Sequence, residues 1–66
     1  MFIKSDDIVL INSDYIVKAF IKKQGDVWNI LLDLKDSEYC CFYKFFNSEY
    51  DAQKGIDELY RILTYG

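Results

Sequence analysis

Residues 15–46 read YIVKAFIKKQGDVWNILLDLKDSEYCCFYKFF, and the order of apolar and polar side chains in this stretch decides the fold. Tyr15 to Lys23, Val27 to Lys35 and Tyr39 to Phe46 are rich in β-branched and aromatic residues, and turn-forming residues separate them. Gln24-Gly25 is expected as a tight turn because Gly accepts positive φ, and Asp36-Ser37 as a second. With two-residue turns there, Ile21 faces Trp28, Ala19 faces Ile30, Val17 faces Leu32 and Tyr15 faces Leu34. The next hairpin sets Phe45 against Trp28, Tyr43 against Ile30, Cys41 against Leu32 and Tyr39 against Leu34. Every residue of that face is apolar or aromatic. A slip of one residue would carry Lys18 and Lys22 into the core, so the pattern selects which face is buried.

On the N-terminal side, Met1 to Lys4 and Ile8 to Asn12 read as short strands, with turns at Ser5-Asp6-Asp7 and Asn12-Ser13-Asp14. On the C-terminal side, Ser48 is a good helix N-cap, and Asp51 three residues later makes a pair resembling a capping box. Ala52, Ile56, Leu59, Tyr60 and Leu63 then recur at helical spacing, forming an apolar stripe that would lie across the apolar sheet face. Gly55 interrupts this helix at a cost of about 1 kcal/mol relative to Ala. It is either tolerated or marks a close backbone approach to the sheet or to a partner chain. The expected fold is α+β: one domain over residues 1–66, a small twisted antiparallel sheet of about five strands with one C-terminal amphipathic helix on one face.

The same register predicts the composition of the opposite face. Its rows are Lys22, Val27 and Phe46; Phe20, Asn29 and Lys44; Lys18, Leu31 and Phe42; and Ile16, Asp33 and Cys40. This face is half apolar, whereas a solvated sheet face is mainly polar. Ile16, Phe20, Val27, Leu31, Phe42 and Phe46 are therefore candidate interface residues. Lys18, Lys22 and Lys44 are candidate contacts for an anion. Three uses of the face compete. The N-terminal hairpin folds over it, with Ile8 and Leu10 or Val9 and Ile11 as cover; a second copy covers it or mates with a sheet edge; or it is a ligand platform, with the lysines binding phosphate and the phenylalanines stacking.

Composition narrows the function. The chain has 66 residues, 52% hydrophobic and 29% charged, with a net charge of −3. Below roughly 70–80 residues one core rarely supplies more than about 3–5 kcal/mol, and small domains add disulfides, a metal or oligomerisation. Cys40 and Cys41 are adjacent, so a bridge between them would be strained, and two free thiols suit a reducing compartment. There is no His, and adjacent cysteines lack the spacing of a zinc site. Without His the usual general base is missing. The carboxylates Asp6, Asp7, Asp36 and Glu38 fall in turns, Asp33 reads as half of a salt bridge, and no glycine-rich phosphate loop exists. The chain is expected not to be an enzyme and to carry no cofactor. Its acidity disfavours double-stranded nucleic acid and anionic lipid as partners. No apolar run approaches the ~20 residues of a spanning helix, and no signal peptide is evident. The expected location is the cytoplasm of a bacterium or of a phage-infected cell.

The segment Ile11-Asn12-Ser13-Asp14-Tyr15-Ile16, leading into a strand after a short N-terminal hairpin, resembles very short bacterial proteins of the flagellar-operon FlbD type. Those have an opening hairpin, an Asn-x-Asp-x-Ile segment, a β-hairpin and a C-terminal helix. The resemblance covers about two thirds of the chain, implies the same fold and offers no catalytic residues to carry over. The chain departs from it at Asp6-Asp7, a turn without Gly, and in its aromatic fifth strand. In size, acidity and lack of catalytic groups it also looks like small phage-encoded inhibitors of bacterial defence. The expected function is a non-catalytic, self-associating protein–protein interaction module, in its specific form a phage or mobile-element inhibitor of a host protein. The alternative is a binder or sequestering protein for a small anionic ligand such as a nucleotide.

Overall fold

Gly25 fixes the first hairpin of the larger sheet. Its φ is +61°, the left-handed region that Gly enters without a steric penalty. The computed structural model describes residues 2–7 and 9–65, so the strand positions expected for Met1 and Ile8 lie outside the described residues. The strands are β1 (Phe2–Lys4), β2 (Leu10–Asn12), β3 (Ile16–Gln24), β4 (Val27–Leu34) and β5 (Cys40–Phe46), followed by the helix α1 (Glu49–Tyr65). The fold is α+β, as the pattern predicts. The five strands form two antiparallel sheets, β1-β2 and β3-β4-β5, and the helix packs on the larger one. No helix among the described residues is long and apolar enough to cross a membrane.

The register differs from the expected one in three places. The first is the turn, which is Gly25-Asp26 and not Gln24-Gly25: Gln24 pairs with Val27 and Ile21 with Ile30. Gly is the first central residue, as in a type II′ turn. This moves every partner by two residues and leaves each side chain on its expected face. The second is a bulge at Val17, between the pairs Ile16–Leu34 and Lys18–Asp33. Ile16 turns to the core side and packs against the buried cluster, while Val17 is 64% exposed. The third is a bulge at Tyr43, between the pairs Ile30–Lys44 and Leu31–Phe42. Beyond it Phe46 pairs with Trp28 and packs against the core, and Phe45 pairs with Asn29. A bulge adds one residue to one strand, so the side chains beyond it change faces. Tyr15 and Tyr39, expected opposite Leu34 on the core face, are exposed; Tyr15 ends a 3-10 turn, and Tyr39 precedes β5 in a longer connection shaped by Asp36 at φ +65°.

Ser48 caps α1 as expected, its Oγ accepting the Asp51 N–H at 3.2 Å. Ala52 and Leu59 are buried against the sheet, and Ile56 and Ile62 are partly buried. Tyr60, expected in the stripe, is 64% exposed, and Ile62 takes its place. The helix is rotated so that Gly55 lies on the contact line. A Cβ on Gly55 would come within 2.5 Å of Phe46 Cζ and 3.2 Å of Ile30 Cδ1. The glycine therefore gives the Phe46 ring its place, which is the close approach to the sheet. Gly55→Ala should destabilise the protein despite a helix-propensity gain of about 1 kcal/mol. In a Phe46→Leu background, which removes the ring atoms nearest Gly55 and keeps an apolar side chain on the core, the same substitution should stabilise it by about that amount. Urea midpoints of the four proteins of the cycle measure the change of sign.

The β1-β2 hairpin closes the core from the side. Ile3 and Ile11 are buried in one cluster with Ile30, Leu32, Tyr43 and Leu59. Ser5 is buried with its partners met: its N–H donates to the Val9 carbonyl at 3.0 Å, and its Oγ accepts the Val9 N–H at 3.3 Å. Asp6 fastens the hairpin to the bulge. Its N–H donates to the Tyr43 carbonyl at 2.8 Å, and its Oδ2 accepts the Phe45 N–H at 3.2 Å. One residue thus occupies both backbone groups on this part of the β5 edge, which would otherwise offer itself to another strand.

Candidate functional site

Because Ile3 and Ile11 point into the core shared with Leu59, the described residues of the hairpin lie on the helix side of the sheet and leave the second face open. Val9 and Leu10, two of the side chains expected to cover that face, are exposed, Ile11 is in the core, and Ile8 lies outside the described residues.

The observed pairing sorts the second face into new rows. Phe20 pairs with Leu31, and Leu31 with Phe42, so the three make one apolar row across all three strands. On one side lie Lys18, Asp33 and Cys40; on the other lie Lys22, Asn29 and Phe45, and then Gln24 with Val27. Phe20, Leu31, Phe42 and Val27 are half-buried, shielded in part by one another, and Phe45 is 51% exposed. The Lys18 ammonium sits 5.6 Å from the centre of the Phe20 ring, a cation–π contact worth about 0.5–1 kcal/mol at an exposed site. The Asn29 Nδ2 donates to Gln24 Oε1 at 2.9 Å and so orders the polar end of the face.

Of the six apolar residues expected here, Phe20, Val27, Leu31 and Phe42 remain. Ile16 and Phe46 belong to the core side, removed by the bulges at Val17 and Tyr43. Of the lysines, Lys18 and Lys22 flank Phe20, whereas Lys44 pairs with Ile30 and holds its ammonium 5.4 Å from the Tyr43 ring. The expected cluster of three cations on one face is therefore a pair. Phe45, assigned to the core by strict alternation, is the added member.

No family model, curated protein or solved structure matches the chain. Its own geometry therefore carries the functional reading.

The remaining reactive groups are scattered. Cys40 is exposed on the second face, and Cys41 is half-buried opposite Leu32 on the core side; both thiols are free. Burial, and secondarily the Asp7 carboxylate, push the Cys41 thiol above its ordinary pKa, which lowers its thiolate fraction at neutral pH. Among the described residues, no three His, Cys, Asp or Glu side chains are grouped as a metal site. A shallow hollow on α1 is lined by Lys54, Asp57, Glu58 and Arg61, which are neighbours at helical spacing on the solvated side.

Proposed function

We propose that the chain is a non-catalytic, self-associating protein–protein interaction module whose self-contact is the second face of the three-stranded sheet. One observation carries this: the uninterrupted row Phe20–Leu31–Phe42, on a face that the described residues of the helix and the hairpin leave uncovered. An open apolar patch of this kind marks an interface. A second copy is the occupant that answers the stability problem of a 66-residue chain. The charges also suit a two-fold contact, since Lys18 and Asp33 sit side by side in the row next to it and each can meet its opposite in the other copy. The area limits the affinity. Three strands about 4.8 Å apart and seven residues of about 3.3 Å each outline a footprint of roughly 350 Å². Specific interfaces bury ~800 Å² per partner, so a micromolar dimer that exchanges with monomer is the expected state. In that state the face is available to another protein, as the expected inhibitor role requires.

Light scattering coupled to size exclusion tests this. The mass should rise from 7.9 kDa towards twice that value as concentration increases through the micromolar range. A constant 7.9 kDa species up to millimolar protein would remove the proposal.

A further inference from the structure

The two edges of the larger sheet are treated differently. Asp6 occupies part of the β5 edge, while β3 forms the other edge and pairs only with β4 among the described residues. Gln24 and Val27 close a two-residue turn, which makes them a hydrogen-bonded pair. Pairs alternate from there, so the N–H and C=O groups of Ala19, Ile21 and Lys23 point away from β4, in the plane of the sheet. An open edge of this kind is the feature that strand addition uses.

The side chains state what would add. β3 carries Lys18, Lys22 and Lys23 and no carboxylate, in a chain whose net charge is −3. Lys18 and Lys22 bracket Phe20 on the second face; Ala19 and Ile21, half-buried, lie on the other. A second copy fits this edge badly. Centring two β3 strands on Phe20 sets Lys18 directly opposite Lys22 of the other copy on both sides of the axis, and like charges directly opposite destabilise a sheet. Other registers still bring lysines together with no carboxylate on either strand.

We propose that the open edge of β3 takes up an extended acidic segment of another protein as a fourth strand. Carboxylates of that segment stand opposite Lys18 and Lys22, with an apolar residue between them opposite Phe20 and apolar residues opposite Ala19 and Ile21. This goes beyond self-association: the edge groups lie in the sheet plane and are open whether or not the second face is covered.

The test is a titration of the isotope-labelled full chain with the blocked peptide Ser-Glu-Val-Tyr-Val-Glu-Ser, read by amide shifts and hydrogen exchange, which report residue by residue whatever the oligomeric state. The Ala19, Ile21 and Lys23 amides should shift and become protected. The exposed pair Lys18→Glu with Lys22→Glu should retain the fold, lose affinity about tenfold or more, and prefer the peptide with Lys in place of Glu. N-methylation of either valine, whose amide would face β3, should abolish binding, and N-methylation of the tyrosine should not. The proposal is overturned if the acidic peptide does not bind near millimolar concentration, if binding ignores the charge swap, or if both kinds of methylation have the same effect. Equally tight binding of an oligothymidylate would show a site that reads charge alone, and β3 pairing with β3 of another copy would show the wrong occupant; either result also overturns it.

Discussion

Leu59→Ala is expected to leave most of the chain unfolded at room temperature. Leu59 is 1% exposed and joins three parts of the molecule, because its cluster includes Ile30 and Leu32 from the sheet and Ile3 and Ile11 from the hairpin. Truncating a buried Leu costs about 2–5 kcal/mol, through lost transfer energy and the cavity left behind. A core of this size supplies no more than about 3–5 kcal/mol in total. The loss is therefore comparable to the whole stability, and the far-UV circular dichroism of the helix should largely disappear. Raising the protein concentration should recover part of it, since association binds only the folded chain. Glu58→Lys, one residue away on the solvated side of α1, should change the unfolding free energy measured in urea by no more than about 0.5 kcal/mol. A Leu59→Ala protein with the wild-type midpoint would mean that α1 does not dock on the sheet through this residue.

Phe42→Asp should abolish self-association and leave the monomer folded. Its carboxylate would stand at one end of the row Phe20–Leu31–Phe42, against apolar side chains of the second copy, with no cation directly opposite. Truncation of a central aromatic anchor commonly costs 2 kcal/mol or more, and a buried unpaired charge adds to that, so the dimer should weaken about a hundredfold or more. Phe46→Asp is the contrasting variant. Its ring lies against Gly55 and packs on the core cluster, so the same change four residues along should unfold the chain. Mass by light scattering and helix content by circular dichroism separate the two outcomes. A folded Phe46→Asp would mean that the bulge at Tyr43 does not exist, since strict alternation puts Phe46 on the same face as Phe42.

The residues that the sequence placed well and those it misplaced differ in a simple way. Where an apolar residue alternates with a polar one away from a bulge, as in Lys18-Ala19 and Ile21-Lys22, the side facing the core is unambiguous, and it is as expected. Where two apolar residues are adjacent, as in Ile16-Val17 and Phe45-Phe46, either one can be buried, and the alternation carries no information about which. Both pairs are at or beside a bulge, and in both the choice is opposite to strict alternation. The turn at Gly25-Asp26 was displaced by one residue without harm, because a shift of one in a two-residue turn moves the register by two and preserves the faces. Gly55 was the one sequence signal pointing to the burial of Phe46, since only a residue without Cβ admits that ring. The hydrogen bonds of Asp6 to β5 were not legible at all. An Asp in a turn needs no further explanation, and its partners at Tyr43 and Phe45 are far from it in sequence. The second face was legible as half apolar, but its concentration into one row depended on the register.

Self-association through that row can be observed directly with an equimolar mixture of carbon-13-labelled and unlabelled protein at millimolar concentration, using an isotope-filtered nuclear Overhauser experiment. The methyl groups of Leu31 should give intermolecular signals to the Phe20 and Phe42 rings of the other copy, and the methyls of Leu32, at 0% exposure on the core side, should give none. Absence of intermolecular signals from Leu31, or their appearance only at exposed residues elsewhere such as Tyr15, Tyr39 and Tyr65, would contradict a contact through the second face of the sheet.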